Sequence, residues 1–120
     1  MCQIPKPPTT HRRTTKMYNR KDFEKLGFVI ERDHGAGNAD YDRSSPMVFL
    51  SHQDGAFETR LTHVREGMDW VCTIEMDKGG DYEMLGDAMS PTPMTALVAA
   101  RKQMQDRINQ MQGYLDSINP

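Results

Sequence analysis

The alternation of side-chain type that begins near residue 47 most constrains the fold. Residues 57–63 (FETRLTH) and 70–76 (WVCTIEM) each alternate between two sets of side chains, which predicts strands with one face inward. Asp54-Gly55, REGMD (65–69) and DKGGD (77–81) lie where short turns are needed. We therefore predict an antiparallel β-meander of three to five strands, drawn from residues 28–30, 47–51, 57–63, 70–76 and 82–85.

A long helix is predicted directly after the last strand. Pro93 suits the first helical position, where its missing N–H costs nothing, and Thr92 suits the N-cap. Apolar residues then recur at alternating spacings of three and four, with Arg101 as the one break: Met94, Leu97, Met104, Ile108, Met111, Leu115 and Ile118. We expect an α+β fold in which a helix over 93–118 covers one face of the meander.

This helix is too long for the sheet beneath it. Residues 93–118 would span about 39 Å, whereas a five-residue strand spans about 17 Å. Gly113 weakens the last turns by about 1 kcal/mol relative to alanine, so the helix could also end there. Two interpretations stay open for the distal stripe: the N-terminal arm or the long loop folds back over it, or it forms a homodimer or partner contact through Met104, Ile108, Met111 and Leu115.

The rest of the chain divides into an arm and one domain. Residues 1–20, rich in Pro, Thr and basic side chains, predict an extended, mobile arm, and 21–120 predict a single α+β domain. A short helical turn is expected over 20–26, with Gly27 as its left-handed cap. Residues 33–46 predict a long polar loop, which is where we expect a partner contact.

Charge is distributed unevenly along the chain. Residues 1–25 carry seven basic and two acidic side chains, a net +5, and the remainder carries eight basic and fifteen acidic side chains, a net −7. Arginine and lysine neutralise phosphates and tyrosine offers a stacking face, so the arm predicts nucleic-acid binding as an alternative function. The residues expected to make that contact are Arg12, Arg13, Lys16, Tyr18, Arg20 and Lys21.

No pattern in the sequence indicates catalysis, a metal or a cofactor. HGAGNAD (34–40) is not followed by a helical pattern, as a phosphate-binding loop would require. The four histidines lack metal-ligand spacing; His63 is expected to be structural, and His52 is placed at a hairpin bend. Cys72 lies in the inward row of a strand, where a free thiol behaves as a small hydrophobe. We expect a non-enzymatic protein without cofactor.

The environment expected from composition is a reducing cytoplasm. The sequence has only two cysteines, no apolar run that would span a membrane and no apolar core of a signal peptide near its start. The sheet could also present an acidic surface that mimics nucleic-acid phosphates and so occupies a nucleic-acid-binding protein. Its residues would include Glu58, Glu75, Asp77, Asp81 and Glu83.

The last predicted strands and the start of the helix share a pattern: DWVCTIEM (69–76) and GDAMSPTPMTALVAARKQ (86–103) give a strand, a short polar turn and a Pro-started, Ala-rich helix. On these residues, 57–103 resemble small phage and prophage accessory proteins of the "ABA sandwich" type. The resemblance implies a phage or prophage accessory protein that acts in a bacterial cytoplasm. Together with the missing catalytic pattern and the Met-rich stripe of the helix, it leads to our first functional hypothesis: the chain binds a host or phage protein and could inhibit a defence or nucleic-acid-processing complex.

Overall fold

The computed structural model describes residues 18–33, 47–65 and 67–120. The described part contains a short helix, five strands and a long helix. In chain order these elements are α1 (Arg20–Lys25), β1 (Val29–Asp33), β2 (Val48–Asp54), β3 (Phe57–His63), β4 (Trp70–Lys78), β5 (Asp81–Ser90) and α2 (Pro93–Ser117).

The five strands form one antiparallel sheet in the order β1-β2-β3-β4-β5, which confirms the predicted meander. Leu50 pairs with Leu61 and Leu61 with Cys72, so these side chains share one face. The pairing of β4 with β5 shifts register between Ile74 and Glu75. Ile74 pairs with Gly86 and Glu75 pairs with Met84, so Leu85 is the extra residue of a β-bulge.

The core lies on one face of the sheet, beneath both helices. Leu50, Leu61 and Cys72 are fully buried there, and Trp70 is almost so. α1 contributes Phe23, whose ring meets Phe28 edge-on at a centroid distance of 5.7 Å. The opposite face has no helix over it in the described part of the chain, and it carries mixed polar and apolar side chains.

The first half of α2 lies unusually close to β5. Pro93 and Thr92 start the helix as predicted, and Thr92 accepts a hydrogen bond from the backbone N–H of Thr95. Ala96 and Ala100 are fully buried. A Cβ atom added to Gly86 would lie 2.5 Å from the carbonyl oxygen of Ala100. Only a glycine in the strand and small side chains on the helix permit this separation.

Two side chains of α2 hydrogen-bond to the backbone of β5. The Gln103 amide accepts from the Asp87 N–H at 2.8 Å and donates to the Asp87 carbonyl at 2.9 Å. One helical turn later, Arg107 donates to the Met84 carbonyl at 3.1 Å and to Glu83 Oε2 at 2.8 Å. These bonds fix the direction of α2, which runs antiparallel to β5 toward the hairpin between β4 and β5.

Several boundaries differ from the prediction. Asp33 ends β1 and does not begin a loop, because it pairs with Val48; residues 34–46 lie outside the described residues. β5 extends to Ser90, beyond the predicted 82–85, and its inward residues Gly86 and Ala88 are too small to give a period-two signal. His52 lies within β2, paired with Thr59, and not at a bend.

The long helix matches its predicted range closely. It ends at Ser117, one residue before the predicted end, and continues through Gly113. α1 begins at Arg20, so the last residue of the predicted arm belongs to a helix, capped by the side chain of Asn19.

Gly86→Ala should destabilise the fold, because the new methyl group would meet the Ala100 carbonyl. We expect a loss of about 1–3 kcal/mol in the free energy of unfolding, measured by urea denaturation. Gly113→Ala is the matched control: a Cβ there meets nothing within 4 Å. It should stabilise the protein by up to about 1 kcal/mol. Equal effects of the two substitutions would contradict the proposed close packing.

Candidate interaction surface

A groove of about 850 Å³ lies between the two helices on the core side of the sheet. Phe28, Phe57 and Ile74 contribute apolar surface to it, and the ring of His52 packs against Phe28 at a centroid distance of 5.4 Å. One wall is formed by α2, through Met94, Leu97, Val98, Arg101 and Met104. The groove exists because the two helices lie at different edges of the same sheet face: α2 covers β4 and β5, and α1 lies beside β1.

The wall of the groove continues into the exposed end of α2. Positions 101, 104, 108, 111, 115 and 118 repeat at spacings of three and four, so they form one stripe along the helix. We call this stripe the seam. Arg101 and Met104 belong to both the groove and the seam.

The distal part of the seam is uncovered. Ile108, Met111, Leu115 and Ile118 are 46%, 60%, 56% and 55% exposed, and every other residue from Gln105 to Pro120 is also exposed. The last hydrogen bond from α2 to the sheet in the described residues comes from Arg107. The ten residues after it extend about 15 Å without support from the sheet. The predicted excess length of the helix is therefore present in the structure.

The charges along the seam are arranged asymmetrically. Arg101 is exposed and forms no ion pair among the described residues. The other end of the helix has no basic residue in its last turn, where Asp116 accepts a hydrogen bond from Gln112. The negative end of the helix dipole is thus left without a nearby cation on its own helix.

The residues predicted to contact nucleic acid fall into two groups. Arg12, Arg13 and Lys16 lie outside the described residues. Arg20 and Lys21 are exposed on α1, and Arg20 lies 3.6 Å from Glu24 and 3.8 Å from Asp33.

Tyr18 packs against the folded domain. Its ring lies 5.3 Å from that of Trp70 and 6.2 Å from that of Phe23, and its hydroxyl donates to Asp33 Oδ2 at 2.5 Å. Burial and the Asp33 carboxylate both raise the pKa of Tyr18, because each disfavours the phenolate. The ring that the sequence indicated as a stacking platform is therefore engaged with the core.

His63 and Cys72 are both packed within the fold. His63 stacks on Trp70 with centroids 4.8 Å apart, and its Nε2 lies 3.0 Å from the Met68 carbonyl oxygen. Cys72 is fully buried, and burial, with a smaller effect of Asp87, raises the pKa of its thiol to about 12. No group of three His, Cys, Asp or Glu residues that could hold a metal occurs within the described ranges.

The predicted acidic surface is divided between the two faces of the sheet. Glu58 and Glu75 are direct cross-strand neighbours on the face opposite the helices. The positive charge of Arg60 partly offsets theirs. Its guanidinium donates to Glu58 at 3.2 Å, and that bond raises the pKa of Arg60. Glu83 instead faces α2, where it bonds Arg107. This division leaves a weaker acidic patch than the sequence indicated.

Sequence reasoning found the distal seam and missed the groove. The heptad spacing alone indicated Met104, Ile108, Met111 and Leu115. The groove depends on how far α1 and α2 lie apart across the sheet, and no local pattern encodes this separation. Gly86 was a usable signal, because a glycine within a strand often marks close approach of another backbone.

No family model matches the chain, and no curated protein and no solved structure shows significant similarity to it. Over residues 18–33, 47–65 and 67–120, no helix is long and apolar enough to cross a membrane. The geometry described above is therefore the basis for any functional conclusion.

The buried thiol predicts a measurable pH dependence. In the unfolded chain Cys72 ionises near its ordinary pKa of 9.0, and in the fold only near 12. Stability due to the neutral thiol is complete below pH 9 and is lost as the pH rises toward 12. Above pH 9 we expect an extra loss of about 1.4 kcal/mol per pH unit.

Urea denaturation in a Cys2→Ser background measures this effect, with Cys2→Ser/Cys72→Ala as the matched reference. Subtracting the two curves removes the titration of the other groups. Parallel pH curves for the two proteins would refute an elevated pKa of Cys72.

Proposed function

We propose that this chain is a non-enzymatic protein that acts by binding another protein through the groove and the seam. The observation that carries the proposal is the continuity of these two surfaces. A groove lined mainly by apolar side chains leads into an exposed apolar stripe, and both share Arg101 and Met104. Apolar grooves of this kind accept amphipathic helices, whose anchors recur at the same spacings of three and four.

The contiguity of the exposed residues supports binding rather than incidental exposure. The four distal seam residues are each about half exposed and lie on one side of one helix. Single exposed hydrophobic residues are common on protein surfaces, whereas contiguous apolar patches mark interaction sites. Two of the reactive side chains in the described residues are taken up by packing: Cys72 is fully buried and His63 stacks on Trp70.

The phage-type accessory role that the resemblance implies stays a prediction. The hypothesis that the chain binds a host or phage protein and inhibits a defence or nucleic-acid-processing complex is likewise a prediction. Protein binding through the groove and the seam is compatible with it.

A second candidate function is nucleic-acid binding by the basic N-terminal segment. The specific observation in its favour is the net charge of +5 over residues 1–25, a count that includes the exposed Arg20 and Lys21 on α1. It predicts a mobility shift of labelled DNA or RNA at low salt that is lost on deletion of residues 1–17. No shift by the full-length chain would exclude it.

For the protein-binding function, Leu115→Glu should abolish the capture of a stoichiometric partner. A charge in the seam would have to be desolvated in the complex, which we expect to weaken binding at least tenfold. Met89→Glu is the control, because Met89 is 66% exposed on the opposite sheet face. Pull-downs with the wild type and both variants provide the measurement. A partner that binds the wild type and both variants equally would contradict the proposal.

A further inference from the structure

We infer that the occupant of the groove is the C-terminal end of α2 from a second copy of this chain, packed antiparallel in a two-fold dimer. The inference rests on the proposed function, because it identifies the partner that the groove and the seam bind. It follows from the register of the seam, from its charges and from the direction in which α2 leaves the sheet.

The register comes from the positions of the seam residues. In an antiparallel helix pair, core positions of one heptad type face those of the other. The three opposed layers are Met104 with Leu115, Ile108 with Met111, and Arg101 with Ile118. The two residue numbers in each pair have the same sum, so a single two-fold axis near residues 109–110 relates the partners in all three layers. The symmetry forms each of these contacts twice in the dimer. The overlap from 101 to 118 is about 26 Å long.

Arg101, the one charged residue of the seam, fits this register. It lies opposite Ile118 of the other copy, immediately beyond the last turn of that helix. That turn presents the negative end of the helix dipole together with Asp116 and has no basic residue of its own. An arginine at this layer is complementary to the negative end of that dipole. In a parallel pair, Arg101 would instead face another Arg101.

The direction of α2 brings its end to the mouth of a partner's groove. α2 runs toward the β4–β5 hairpin, since Gln103 bonds Asp87 and Arg107 bonds Met84. Phe57 begins β3 at the same end of the sheet, and it lines the groove. Two antiparallel copies that meet at this end therefore each direct residues 115–118 toward Met104, Arg101 and Phe57 of the other.

The area requirement also favours entry into the groove. Four half-exposed seam side chains supply less apolar surface than the about 800 Å² per partner that a stable interface buries. A brief crossing of the two distal ends is therefore too small. Contacts with the groove walls, including the 42% exposed Phe57 and the 55% exposed Val98, enlarge the interface on both copies at once.

Directed disulfide formation tests the register. In a Cys2→Ser background, Met104→Cys and Leu115→Cys chains are purified separately, oxidised alone and oxidised after mixing. The antiparallel register predicts a cross-linked dimer only in the mixture, because the two positions face each other and neither faces itself. Cross-linking of each variant with itself would indicate a parallel pair and overturn the inference.

Sedimentation equilibrium of the full chain measures the affinity and the role of Arg101. Arg101→Glu should weaken the dimer about three- to thirty-fold, because two like-charge contacts replace two favourable ones. Arg65→Glu makes the same charge change at an exposed residue at the other end of the sheet and should leave the dimer unchanged. Equal weakening by both substitutions would overturn the role of Arg101.

The failure of this inference is distinguishable from failure of the proposed function. A chain that stays monomeric up to about 1 mM, including one whose own N-terminal segment covers the seam, overturns the dimer. If such a monomer still captures a partner, and Leu115→Glu abolishes that capture, the proposed function stands and the groove has a different occupant. If Leu115→Glu also changes nothing, both fall.

Discussion

The contact between Ala100 of α2 and Gly86 of β5 is the constraint on which the rest of the structure depends. Because a Cβ at Gly86 would lie 2.5 Å from the Ala100 carbonyl oxygen, the helix backbone rests directly on the strand. This contact fixes α2 at the β5 side of the sheet. It thereby leaves an open groove between the two helices, whose floor is formed by His52 and Asp54 of β2, Phe57 and Thr59 of β3 and Ile74 of β4. One glycine thus determines both how the core closes and what remains open.

The fold could be predicted well from sequence wherever large and small side chains alternate clearly. The period of two in Trp70, Cys72 and Ile74 predicted β4, and the pair Thr92-Pro93 predicted the start of α2. β5 was underestimated, because glycine, alanine and serine face the helix there and carry little hydrophobic signal. Small residues are required at that position so that the helix can pack closely. Because they are small, they remove the hydrophobic alternation by which the strand would be recognised in the sequence.

The candidate site was half predictable for a related reason. The seam is a property of a single helix, and its period is visible in the sequence as Met104, Ile108, Met111 and Leu115. The groove is a property of the distance between elements, and that distance follows from tertiary packing. Tyr18 illustrates the same limit: its neighbours in sequence are basic, whereas its neighbours in space are Trp70, Phe23 and Asp33.

The bonds of Gln103 to both backbone groups of Asp87 have a further consequence for the outer edge of the sheet. β5 is an edge strand of ten residues, and an edge of that length can recruit strands from other molecules. The Gln103 amide offers the same donor and acceptor pair as a neighbouring peptide unit, and the bond from Arg107 occupies the Met84 carbonyl. The helix therefore protects the strand against open-ended sheet growth, and association is directed away from aggregation and toward surfaces that can close.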